Sequence, residues 1–187
     1  GSLPPPSGFP SGGWYVDFGL IGNCDFEGCT NEMALNYNIS IAAGNDDGSC
    51  LVPPANDAIE NAEAVACDMQ VSGTLELAQD DEGLIGVFAG TGVTTGGVWY
   101  EFNADGDYQV FANTCDTPTS TSGFADPVSD TKLHVFVYND EGELEAIVGN
   151  DDNCGLMSGV AFIAETGMDY FIHVSYFSFF SAGTEFL

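Results

Sequence analysis

Two short stretches carry the residue types that bind hard cations: "GNDDGSC", Gly44 to Cys50, and "GNDDNC", Gly149 to Cys154. Each sets an Asn-Asp-Asp run between a glycine and a cysteine, placing carboxylate and carboxamide oxygens on a loop that a disulfide can fix. Calcium takes six to eight hard oxygen ligands, and such loops supply them from side chains and backbone carbonyls. Asn45, Asp46 and Asp47 form the first candidate set. Asn150, Asp151 and Asp152 form the second, and Asp130 in "SDTKL" joins them if neighbouring strands bring the two stretches to one sheet end. Asp and Asn beside Gly are also ordinary turn formers, and in so acidic a chain some clustering arises by chance.

Catalytic residues are hard to find by the same logic. His134 and His173 are the two histidines, each within a strand-like run and out of phase with the core positions, and neither is flanked by a nucleophile motif. They read as surface or packing residues. Carboxylate pairs of the glycosidase kind are not singled out by any spacing. The expectation is a protein that is not an enzyme. The single Lys132 is read as an ion-pair partner for Asp130 or another acid, with an isopeptide bond as the lesser alternative.

Composition bounds what surrounds these loops. The chain has 187 residues with 44% hydrophobic content, enough for one full core and a smaller appendage. Against 29 Asp and Glu stands one Lys or Arg, for a net charge of −28. Self-repulsion on that scale opposes compaction, and bound cations would relieve it. The same charge disfavours nucleic acid and anionic lipid, so neither is expected as a partner. No apolar run is long enough to span a bilayer, and membrane insertion is not expected. Six cysteines without zinc-like spacing favour disulfides in an oxidising compartment, hence a secreted, extracellular or cell-surface protein.

Three segments must position the loops. Residues 1–23 open with Pro4, Pro5 and Pro6 and read as an extended arm, whose second half, "WYVDFGLI", is apolar and must pack on something. Trp14, Tyr15, Phe18 and Ile21 are its candidate assembly residues. Residues 24–52 hold three cysteines in a polar stretch too small for a core of its own. Residues 53–187 begin with a capping-box pattern, Asp57 followed by Glu60, that predicts one short helix. Short runs rich in β-branched and aromatic residues follow, among them "GVWYEF", "DYQVFAN", "KLHVFVY" and "DYFIHVSYF". They predict an all-β, two-sheet antiparallel sandwich. Leu133, Val135 and Val137 alternate onto one face, as do Tyr170, Ile172, Val174 and Tyr176.

Within residues 24–52, "GCTNEMALNYNISIAAGNDDGSC" resembles the calcium-associated acidic repeat of secreted bacterial surface proteins, similar in character to thrombospondin type 3 repeats. The match rests on Cys29, Ala34, Asn36, Tyr37, Asn38, Asp46, Asp47, Gly48, Ser49 and Cys50. It departs at Asn31-Glu32, where that repeat has Asp-Pro, and at Ile39-Ser40-Ile41, where it has Pro-Asp-Ala. The later segment, through "NDAIENA", "GVWYEF", "NTC", "DTKLHVFVYNDEGELEAIVGNDDNCG" and "SAGTEFL", resembles the pre-peptidase C-terminal type of secreted domain. That resemblance implies a jelly-roll-like sandwich, often calcium-loaded, with a non-catalytic role in binding, targeting or secretion.

Six cysteines allow 15 pairings. Cys29 with Cys50 closes the repeat, and Cys115 with Cys154 ties the "NTC" strand end to the acidic loop. Cys24 and Cys67 are then left as partners, with a partner outside the chain as the alternative for Cys67. Asn38 in "NYNIS" is the one N-x-S/T glycosylation acceptor. Two functions fit: a structural or adhesive module of a surface protein or filament that binds copies of itself or other surface proteins, or a carbohydrate- or protein-targeting accessory of a secreted hydrolase. The aromatic residues Phe171, Phe177, Phe179 and Phe180 serve either reading, as a sugar-binding platform for a polysaccharide or as a subunit contact.

Overall fold

The strand-forming runs become two facing sheets in the computed structural model, which describes residues 27–41, 44–81, 96–116 and 130–177 and the backbone of Glu185–Phe186. The fold is an all-β sandwich. A 3-10 turn, Ile59–Asn61, precedes nine strands: β1 Glu63–Val65, β2 Gly73–Thr74, β3 Gly97–Asn103, β4 Tyr108–Asn113, β5 Thr131–Tyr138, β6 Leu144–Asn150, β7 Gly159–Ala164, β8 Asp169–Tyr176 and β9 Glu185–Phe186. The main sheet has the order β1-β3-β8-β5-β6, and β4 pairs with β7 in a second layer. A short ladder joins β2 to β9.

Two expectations need correction here. The main sheet is mixed rather than purely antiparallel, because β1 runs parallel to β3, with Glu63 opposite Tyr100. The expected helix is a single 3-10 turn with no side-chain cap. Asp57 spends its carboxylate elsewhere, accepting the Gln79 N–H at 2.7 Å. The turn is anchored to the sheet instead by the Trp99 N–H donating to the Asn56 carbonyl and the Asn56 amide donating to the Trp99 carbonyl.

Alternation builds the core. Val98, Tyr100 and Phe102 of β3, Leu133 and Val135 of β5, and Tyr170, Ile172 and Val174 of β8 are buried together against Val160, Phe162 and Ala164 of β7. Burying each such side chain is worth roughly 1.5–3 kcal/mol, so this face dominates the stability. At one end a polar knot replaces apolar packing. The Thr114 and Thr131 hydroxyls lie 2.7 Å apart, and the Ser158 N–H donates to both.

At the opposite end Asp107 ties two turns together, its Oδ1 accepting the Thr166 N–H at 2.9 Å and hydroxyl at 2.8 Å. Those bonds hold its carboxyl below the usual carboxylate range. A lowered folded-state value means the stabilisation is present above the unfolded value near about 3.9 and is lost as pH falls through the folded one. Asp107→Ala should therefore be less stable than the parent chain in urea melts near neutrality, with the gap closing in acid; a gap independent of pH would contradict this assignment.

Candidate functional site

The second face of the main sheet does not meet water either. Trp99, Phe136 and Phe171 form a small aromatic cluster there, with Ile59, Ala62, Leu144 and Ala146 packed on it. Beside the cluster lie Lys132, His134, His173 and Ser175, between 0% and 2% exposed. His134 stands opposite His173 and Lys132 opposite Ser175 on β5 and β8, while Trp99 of β3 is the other neighbour of His173. The chain has one Lys or Arg and two His. All of its basic side chains are therefore buried on one face of one sheet.

The strands are shaped to hold them. A Cβ on Gly97 would fall 2.2 Å from His173 Nε2, and one on Gly149 would fall 2.4 Å from His134 Cδ2. Both glycines are required by close approach, and Gly149 belongs to the acidic motif itself. His173 Nε2 lies 2.9 Å from Asp81 Oδ2, and the Trp99 indole N–H donates to Asp81 Oδ1 at 3.2 Å. Asp81 thus bridges the imidazole and the indole with its two carboxyl oxygens. The imidazole stacks at 4.5 Å from the Trp99 ring. Burial pushes the Lys132 ammonium below its usual value, opposed by Asp151 and Asp130. The two histidines, expected as surface or packing residues, are interior packing residues. The signal for this was glycine inside strand-like runs, at 97 and 149, which marks close approach.

The candidate cation loops fare differently from one another. In the first, Cys29 and Cys50 are bridged. Asp46 Oδ2 accepts the Thr30 N–H at 3.0 Å and hydroxyl at 2.5 Å, and its Oδ1 accepts the Gly48 N–H. Asp47 Oδ1 accepts the Ser49 N–H. Asn36 bonds both the Ser49 carbonyl and the Leu51 N–H. Gly48 takes a left-handed φ of 76°. The motif residues thus close the loop on itself; Asn45 lies beside them, its carbonyl accepting the Gly28 N–H. Asn38, the glycosylation acceptor, is exposed, with Oδ1 accepting the Ser40 N–H.

In the second loop Cys115 and Cys154 are bridged, as expected. Asp130, Asp151 and Asp152 come near one another: burial, then Asp152 and Asp151, push the Asp130 carboxyl up to about 6. Asn150 Oδ1 accepts the Asp152 N–H, and the Asp151 carbonyl accepts the Ser158 hydroxyl. No group of three or more acidic, His or Cys side chains able to hold a metal ion is assembled among the described residues. Lys132 lies close enough to this end to offset part of the repulsion among its carboxylates, acting on Asp130 and being acted on by Asp151 and Asp130.

A cavity of about 580 Å³ opens between the layers. Its walls include Tyr100, Phe102, Ile172 and Val174 from the main sheet, Val110 from β4, and Cys67. Cys67 is exposed and carries a free thiol; Cys24, the partner considered for it, lies outside the described residues. So do Trp14, Tyr15, Phe18 and Ile21, together with Phe179 and Phe180. Of the remaining aromatic candidates, Phe171 is buried and Phe177 is exposed. No helix among the described residues is long and apolar enough to cross a membrane. Neither a family model, nor a curated protein, nor a solved structure matches the chain.

Overpacking a tight site costs roughly 1–3 kcal/mol. Gly97→Ala and Gly149→Ala should each destabilise the protein by about that much, whereas Gly44→Ala, which meets open space, should be close to neutral. Thermal melts compare the three, and equal effects would contradict the proposed packing of the histidine row.

Proposed function

We propose that this protein is a non-enzymatic structural or adhesive module of an extracellular surface protein or filament, stabilised by disulfides and calcium and assembled through contacts between subunits. The observation that carries the reading is the open sandwich. Five strands of the main sheet are faced by the β4–β7 pair, and β4 has a strand neighbour on one side only among the described residues. A cavity remains beside it, lined by apolar side chains such as Val110 and Ile172 and by polar ones such as Gln109 and Asn113. Unpaired edges and uncovered apolar walls are liabilities unless another segment covers them.

Calcium enters as the neutraliser of the acidic loop near Asp130, Asn150, Asp151 and Asp152. The Asn45, Asp46 and Asp47 loop, whose side-chain oxygens are largely engaged internally, contributes less. With a dissociation constant near about 0.1 mM, calcium at about 1 mM adds roughly 1.4 kcal/mol. The resemblances to the acidic calcium repeat and to the pre-peptidase C-terminal domain point the same way, towards a secreted protein whose role is to bind or to build. A targeting accessory of a secreted hydrolase is the second reading; the exposed Phe177 favours it as part of a sugar-binding face.

Light scattering after size exclusion, with and without calcium, tests the proposal. The intact chain should form assemblies that grow with concentration, and its melting temperature should rise in calcium, with less gain in an Asp151→Asn/Asp152→Asn variant than in Glu143→Gln/Glu145→Gln. A chain that stays monomeric at high concentration with calcium present would remove the assembly reading, and an unchanged melting temperature would remove the metal.

A further inference from the structure

The cavity, the free thiol and the apolar arm point to one arrangement. Six cysteines are present. Four are used in the Cys29–Cys50 and Cys115–Cys154 bridges, and Cys67 remains free and exposed in the cavity wall. The sixth, Cys24, follows the apolar run of residues 14–21 by three positions. One leftover cysteine thus marks the cavity, and the other marks the segment best suited to fill it.

The run has the pattern such an acceptor requires. In an extended strand Trp14, Val16, Phe18 and Leu20 fall on one face, and Tyr15, Asp17, Gly19 and Ile21 on the other. Eight residues at about 3.3 Å each reach roughly 26 Å, more than the six residues of β4. The β4 side chains that face the interior, Val110 and Ala112, are half-buried. A strand laid beside β4 would pair with the edge that has no strand neighbour among the described residues and send four large apolar side chains towards the cavity.

Charge selects the same kind of contact. With Lys132, His134 and His173 all buried, the surface carries acidic side chains and no basic ones. Two copies cannot be joined by side-chain salt bridges across that surface. Apolar burial, main-chain hydrogen bonds, a shared cation or a covalent bond are what remain.

Resting on the assembly function proposed above, we propose that residues 14–21 of one copy dock beside β4 in the cavity of the next copy, and that Cys24 of the first then forms a disulfide with Cys67 of the second. Cys67 is free within the single chain, which favours a partner in another copy. In the oxidation the two thiols lose two protons and two electrons to a disulfide oxidant, here glutathione disulfide, which is reduced to two glutathione thiols. The contact is head to tail, and repetition gives a linear, covalently locked filament unless a ring closes.

The test uses the full chain prepared in unlabelled and 15N-labelled forms, each with Cys24 and Cys67 reduced under mild conditions, then mixed and oxidised with glutathione disulfide. Non-reducing gels should show a ladder, and peptide mapping should find Cys24 joined to Cys67 in hybrid peptides carrying one label of each kind at the frequency of random mixing. Cys24→Ser should abolish the ladder, and Phe18→Asp should weaken both the ladder and non-covalent assembly. Same-label Cys24–Cys67 peptides alone would show a strap within one chain and overturn the proposal. Assemblies that form with Cys67 unlinked would also overturn it while leaving the assembly function standing; a chain that does not assemble at all would remove both.

Discussion

The rest of the structure depends on where the positive charge goes. A chain with 29 acidic side chains has three basic ones, and the fold spends all three inside, on the face of the main sheet that does not meet the β4–β7 layer. There they are hemmed in by Trp99, by Asp81, and by strands that keep glycine at 97 and 149 to make room. Burying ionisable groups is costly unless they are partnered. In return the main sheet is covered on both faces, and the protein presents a surface of one sign.

That surface limits how copies can meet. Like-charged bodies repel at long range, so association must come from short-range contacts that displace water over an apolar area, complete a strand ladder, or form a bond. The open side of the sandwich offers all three within one region: the apolar part of the cavity wall, the edge of β4 that has no strand neighbour among the described residues, and the Cys67 thiol. A cation at the Asp130, Asp151 and Asp152 end would lower the repulsion without supplying specificity. The same charge that hinders casual clumping would keep finished polymers apart.

Much of this was legible in the sequence. Alternation in "KLHVFVY" and "DYFIHVSYF" sets Leu133 and Val135 on one side of their strand and Ile172 and Val174 on one side of theirs, because period-two burial is a direct consequence of the pleat; that both sets share one buried face comes from the pairing of β5 with β8. The Cys29–Cys50 and Cys115–Cys154 pairings were legible too. The second face was not. Lys132, His134, His173 and Ser175 alternate with the core residues, and polar alternation reads as a solvent face, since the pattern is the same whether water or a covering segment lies beyond. The parallel pairing of β1 with β3 and the diversion of Asp57 to Gln79 are tertiary choices that local patterns do not encode. At the first acidic loop the residue types suggest metal ligands, but the structure turns Asp46 and Asp47 towards Thr30, Gly48 and Ser49.

The central claim is that copies associate without ionic pairs between side chains. Sedimentation velocity on the Cys24→Ser chain, in which non-covalent contacts alone can join copies through the arm, addresses it most directly. Raising ionic strength from about 0.01 M to about 1 M shortens the screening length from about 30 Å to about 3 Å. Screening the mutual repulsion of acidic surfaces should hold or increase the assembled fraction. Dissociation of the assemblies as salt rises would contradict the account, because it would show that attraction between opposite charges holds the copies together.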